Sequence, residues 1–173
     1  MMLEVLARIR DNVLPALLES STPWNSLAVR YETPFVDRVW MQYGDYRINL
    51  HKIYPCDKPL FHPHPWPSAV EIFSGAYEMG IGEAFTFNGI GFKPTRPVAT
   101  TILCAGARYE MVHPRGYHYV KPIGIPSMSL MITGKPWKQA RRTPGKGLRH
   151  HPLEIEVQAE ILEFFRQSLC HAA

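Results

Sequence analysis

The sequence predicts an all-β core, a sandwich or barrel, with a helical segment at each end. Three observations carry this. Eight short runs rich in β-branched and aromatic residues follow one another between Arg38 and Thr133. Turn-forming clusters separate most of them, among them Gly44-Asp45, Cys104-Ala105-Gly106 and Pro114-Arg115-Gly116. Proline is common, at 16 of 173 residues, and it breaks helices and sits badly in central strands. Strands at this spacing suit a double antiparallel sheet better than alternating βαβ units.

Met1 to Leu18 reads as helix, because Leu3, Leu6, Ile9, Val13 and Leu17 recur at steps of three or four on one face. Pro15 either kinks it or opens a second short helix. The strand-like runs are 38–42, 46–54, 68–73, 76–81, 98–104, 109–112, 117–121 and 127–133. Gly82-Glu83-Ala84 and Asn88-Gly89-Ile90-Gly91 read as turns, and 135–151 as a loop rich in proline, glycine and arginine. Leu153 to Leu169 returns to helical spacing, with Ile155, Ile161, Leu162, Phe165 and Leu169 as its expected buried face. The expected organisation is one domain: a helical segment (1–28), a β-barrel region (29–137), then a basic loop and C-terminal helix (138–173).

Composition narrows the function classes. With 46% apolar and 20% charged residues the chain can bury a full core and is not of the disordered kind. A net charge of +4 permits contact with anions without arguing for nucleic acid. Lys135, Lys138, Arg141, Arg142, Lys146 and Arg149 form a basic stretch accompanied only by Trp137, so a solvated loop is expected there and a nucleic-acid partner is not. Cys56, Cys104 and Cys170 lack paired spacing, which predicts neither a disulfide framework nor a zinc knuckle and fits a cytoplasmic setting. Cys104, in an apolar run, is expected to be buried and inert. Glu4, Arg8, Arg10 and Asp11 interrupt the N-terminal apolar stretch, so no export signal is expected, and no run approaches a membrane span of about 20 residues.

The strongest chemical signal is Phe61-His62-Pro63-His64-Pro65-Trp66. Histidines separated by one residue lie on the same side of an extended strand and can reach one ion at about 2.0–2.1 Å. The two prolines favour that extended backbone. Taken alone the pattern fits surface or hydrogen-bonded histidines equally well. His118, in the later run Tyr117-His118-Tyr119-Val120, can join the pair only if the chain folds into a sandwich or barrel. His113 reads as a loop residue, His150 and His151 belong to the basic loop and His171 to the tail. In the run from Tyr46 to Tyr54, alternation puts Arg47, Asn49 and His51 on one face. That face either lines a cavity and binds an anionic or polar substrate, or is a polar exterior.

His62 and His64, the turn glycine Gly75 and the later His118 together resemble the two motifs of the cupin superfamily. The chain looks closest to bacterial and phage cupin-like proteins that carry HxHPW. It shares with them Arg47-Ile48-Asn49-Leu50-His51, Gly75-Ala76-Tyr77 and Leu130-Met131-Ile132-Thr133-Gly134, over about Arg38 to Trp137. The resemblance implies an all-β jelly roll, or double-stranded β-helix, with flanking α-helices. It also implies a divalent transition metal (iron, zinc, nickel, manganese or copper) on His62, His64 and His118, a small-molecule ligand and a homodimer. Such proteins include dioxygenases, isomerases and lyases, and also non-catalytic ligand-binding or sensor modules without metal. One departure concerns the glutamate of the first motif, whose place falls at Ser68. The nearest acid, Glu71, faces the other way in a regular strand and turns inward only if Pro65-Trp66-Pro67 bulges. Without it the ligands are three histidines plus water. Glu71, Tyr77 and Tyr119 are the proton-transfer candidates, on condition that they line the cavity, and His51 is a candidate to hold a ligand imidazole from behind.

Overall fold

The β-prone runs fold as two antiparallel sheets in the computed structural model, which describes residues 1–83, 85–86, 92–93, 97–137 and 151–170. In chain order the helices and first strands are α1 (Met2–Asn12), α2 (Leu14–Glu19), β1 (Asn25–Val29), β2 (Val36–Tyr43), β3 (Tyr46–Ile53), β4 (His62–Pro63) and β5 (Ser68–Ser74). Next come β6 (Ala76–Glu83), β7 (Phe85–Thr86), β8 (Phe92–Lys93), β9 (Ala99–Cys104), β10 (Arg108–Met111), β11 (Gly116–Pro122), β12 (Ser127–Thr133) and α3 (Ile155–Cys170). The larger sheet runs β1-β2-β3-β12-β5-β10 and the smaller β4-β11-β6-β9, while β7 and β8 form a separate pair. If the core strands β3, β4, β5, β6, β9, β10, β11 and β12 are counted first to eighth, the sheets read first-eighth-third-sixth and second-seventh-fourth-fifth. That interleaving is the double-sheet jelly roll.

Alternation along each strand divides the core in two. On the outer face of the larger sheet, Val39, Met41, Ile48, Leu50, Ala69, Leu130 and Ile132 pack against Leu6, Ile9, Leu14, Leu18, Ile161 and Phe165 of the helices. Each such fully buried side chain contributes about 1.5–3 kcal/mol. Between the sheets lie Ile53, Ile72, Tyr77, Met79 and Val120. Among the described residues the two main sheets share no ladder, so residues 29–137 form a sandwich rather than the expected closed barrel. Gly75, with φ 75°, makes the β5–β6 turn, where an added Cβ would come 3.0 Å from the Ser127 Cα.

Several expectations need correction. Pro15 opens a second helix, α2, one of its two expected outcomes, but the break at Val13 rotates burial onto Leu14 and Leu18, leaving Val13 and Leu17 half-buried. β1 lies inside the stretch expected to be helical and continues beyond it. Ile155 is 82% exposed, because α3 begins there and only its later turns reach the core. Cys104 is exposed, because β9 is the edge strand of the smaller sheet. Gly82 and Glu83 extend β6 instead of turning. Asn88 to Gly91, Lys138 to His150 and His171 lie outside the described residues. No helix among the described residues is long and apolar enough to cross a membrane.

Candidate metal centre

β4 and β11 bring the three predicted histidines together. His62 sits directly across from His118 in the β4–β11 ladder, and residues opposite one another in a ladder share a face. His64, two residues on, returns to that face, so all three imidazoles point between the sheets. One nitrogen from each lies within 4.8 Å of the others, and the Nε2 atoms of His64 and His118 are 2.9 Å apart. The ring centroids are 4.6 to 5.4 Å apart.

Tautomers follow from the partners behind the rings. His62 Nδ1 donates to the Leu60 carbonyl at 3.0 Å, which leaves its Nε2 lone pair free. His64 Nδ1 lies 3.2 Å from Ser68 Oγ. His118 Nδ1 is buried with no hydrogen-bond partner. Burial lowers His64 and His118 well below the ordinary imidazole value, and their neighbours' charges lower them further. Burial lowers His62 as well. Three neutral imidazoles packed nitrogen to nitrogen, one buried and two half-buried, suit a divalent transition metal.

The larger sheet supplies the opposite wall. Its inward positions include Arg38, Trp40, Arg47, Asn49, His51, Ser68, Ser129 and Tyr109, as the ladder registers show. Arg47, Asn49 and His51 thus share the inward face. Arg38 lies across from His51 and donates from Nε to His51 Nε2 at 2.9 Å, so that nitrogen is not free for an ion. Burial, the charge of Arg38 and then that of His64 hold His51 well below its usual pKa, hence neutral. Arg47 stacks on Trp40, its guanidinium carbon 3.5 Å from the ring centroid. The Asn49 amide donates to the Arg47 and Met131 carbonyls at 3.3 and 3.2 Å and serves as a cross-strand tie.

The proton-transfer candidates part company. Tyr77 is fully buried between the sheets and donates to the Tyr109 hydroxyl at 3.0 Å, and the Tyr109 ring centroid lies 6.3 Å from that of His118. Burial, then the neighbouring phenol, pushes Tyr77 well above its ordinary value, and burial pushes Tyr109 up to about 12. Glu71 does not face the centre. Ser68 faces inward behind His64, and β5 pairs with β12 in unbroken register from Ser68↔Thr133 to Ile72↔Ser129, so Glu71, three residues on, faces outward. Its carboxylate sits beneath α1, 3.1 Å from Arg10 Nε and 3.0 Å from Arg108 Nε. Tyr119 also faces outward, one residue from His118 on the opposite side of β11. It covers Gly80 and donates to Glu78 at 2.6 Å, a bond that heads the causes raising its pKa to about 12.

Arg38, Trp40, Tyr109 and Ser129 are inward groups that sequence reasoning did not single out. All are strand residues whose inward direction depends on knowing which face of each strand is covered. No family model and no curated protein sequence matches the chain. Among solved structures it is similar to a hydroxypropylphosphonic acid epoxidase from S. wedmorenis, with 14% identity, a TM-score of 0.46 and coverage of 65% of this chain and 55% of that one. It is similar to KdgF from Halomonas sp., with 12% identity, a TM-score of 0.46 and coverage of 68% and 92%. An RmlC-like cupin from Shewanella frigidimarina gives 10% identity, a TM-score of 0.44 and coverage of 66% and 86%. The chain thus spans about half the length of the epoxidase it resembles.

Proposed function

We propose that this chain is a metal-binding protein of the cupin kind that acts on a small molecule, with His62, His64 and His118 holding a divalent transition metal. The observation that carries the reading is the convergence of three inward imidazoles within 4.8 Å on a jelly-roll scaffold. Three protein ligands leave open positions, and a bound ion there supplies Lewis-acid polarisation and lowers the pKa of bound water. The chain's own groups do the rest. The Leu60 carbonyl orients His62, and Ser68 backs His64. Arg38 holds His51 neutral beside the centre, and the Tyr77–Tyr109 pair keeps its phenol protons at neutral pH. Arg47 and His51 are the proposed substrate contacts, with Asn49 fixing the backbone of their strand. Dioxygenase, isomerase and lyase chemistry all fit a centre of this kind.

Purified protein should carry stoichiometric metal by elemental analysis, and a His62→Ala/His118→Ala double variant should lose it while keeping its far-UV circular dichroism. Metal content unchanged in that variant sinks the reading. A second reading, a ligand-binding module without catalysis, is favoured by one observation: Ser68 occupies the position where an acidic ligand is expected. Turnover by the metal-loaded protein of any small acid it binds would remove that second reading.

A further inference from the structure

The inward wall facing the histidines carries two positive charges that no described carboxylate pairs with. Arg38 and Arg47 lie on neighbouring strands, β2 and β3, and both point between the sheets. Neither forms an ion pair with a carboxylate among the described residues. Four acids on the strands are turned away. Asp37 pairs with Arg30 and Tyr54, Glu71 with Arg10 and Arg108, and Glu78 with Tyr119, while Glu110 accepts from the Leu3 amide. The two guanidinium groups repel one another. Burial, then the charge of Arg47, lowers Arg38 to about 10. A divalent ion on the histidines would add two more charges of the same sign. Half-buried like charges without a counter-charge are costly, and an anion in the gap removes the cost.

Unspent hydrogen-bonding groups point the same way. Only the Nε of Arg38 is used, on His51, leaving its terminal nitrogens without an acceptor among the described residues. Arg47 Nε and Ser129 Oγ are buried with no partner. Ser129 lies directly across from His51, so these donors share the inward face with the arginines. A buried donor left unmade is expensive, and carboxylate and phosphate oxygens both match the guanidinium fork.

We infer that the space between the arginine pair and the histidine centre binds a small acid by its oxyanion, a carboxylate or a phosphate, with Arg38 and Arg47 as the clamp and Ser129 as an additional donor. The inference deepens the metal-centre reading by naming the substrate class, and its arginine half stands without the metal.

The test is calorimetric titration of the metal-free and zinc-loaded protein with succinate, oxalate, inorganic phosphate and the neutral succinamide. At least one oxyanion should bind, succinamide should not, and carboxylate against phosphate tells the two sources apart. R38M and R47M should each weaken oxyanion binding about 10- to 100-fold and leave zinc stoichiometry unchanged. If zinc binds the wild type but no oxyanion binds, or the variants bind oxyanions as tightly as the wild type does, the inference is overturned and the metal reading stands. If oxyanions bind through the arginines but zinc does not bind, the metal reading fails and the inference holds. The succinate and succinamide pair needs no variant, so equal affinity for the two overturns the inference even where R38M does not fold.

Discussion

Mild acid should unfold the metal-free protein. His51, His64 and His118 are held well below the ordinary imidazole pKa, and His62 below it, with burial the first cause in each. In the unfolded chain each takes up a proton near pH 6.5, whereas in the folded chain each stays neutral down to its own lower value. Their contribution is therefore complete above about pH 6.5 and is lost as pH falls from there toward the folded values. One histidine held neutral gives a slope of up to about 1.4 kcal/mol per pH unit, so the three held well below their usual value give up to about 4 kcal/mol per unit, with His62 adding less. Against a domain stability of about 5–15 kcal/mol, one or two units of acidification suffice. Urea unfolding followed by tryptophan fluorescence checks this. With a urea slope of about 2–3 kcal/mol/M, the midpoint should drop by up to about 2 M per pH unit below about pH 6.5. Saturating zinc should raise the curve without lessening its slope, adding about 2.7 kcal/mol at a hundredfold excess over its dissociation constant. A midpoint that does not move between about pH 7 and about pH 5.5 without metal would refute the reasoning. So would an unchanged slope in a variant with His62, His64 and His118 all replaced by glutamine.

Three further expectations follow from single contacts. Glu71→Gln should cost about 2–3 kcal/mol by chemical denaturation, by leaving Arg10 and Arg108 without their carboxylate, the figure being discounted because Arg108 is 39% exposed. The same variant should keep its full metal content, since Glu71 lies beneath α1, and metal loss would contradict its placement. Gly80→Ala puts a Cβ 2.1 Å from the Tyr119 ring, so thermal melts should show about 1–3 kcal/mol of destabilisation, most of it recovered by adding Tyr119→Ala. Ser68→Ala removes the group behind His64 Nδ1 and should weaken zinc binding about tenfold in a chelator competition assay, with little change in stability.

Alternation and turn chemistry made the strands readable before any coordinates. The eight sequence runs coincide closely with β2, β3, β5, β6, β9, β10, β11 and β12, because each is short, apolar on at least one face and closed by a turn. The prolines of His62-Pro63-His64-Pro65 made β4 readable in the same way. What a single strand cannot reveal is which of its faces is covered. Arg38 and His51 meet only through the β2–β3 register, so the arginine beside the centre was invisible to a strand-by-strand reading. Glu71 reads from the sequence as a candidate for the centre because its actual partner Arg10 comes from α1, some sixty residues earlier in the chain. Cys104 looked buried because an apolar run does not announce that it lies at a sheet edge. Tyr119 is different: adjacent strand residues face opposite ways, so alternation alone separates it from His118.

The brevity of β4 has a kinetic consequence. Of the three histidines, His62 lies in this strand and His64 directly follows it, and the strand contributes only two residues to its ladder, at the border of the smaller sheet. The third is fixed in β11, which pairs with β6 over seven positions. Detaching one short border segment therefore withdraws two ligands in a single event, while the long strand stays put. Escape of an ion should then follow the opening rate of residues 54–67, measurable by amide exchange, rather than the stepwise loss of separate bonds. Occupancy of the centre should in turn slow exchange at that border and leave the helices on the far face unaffected.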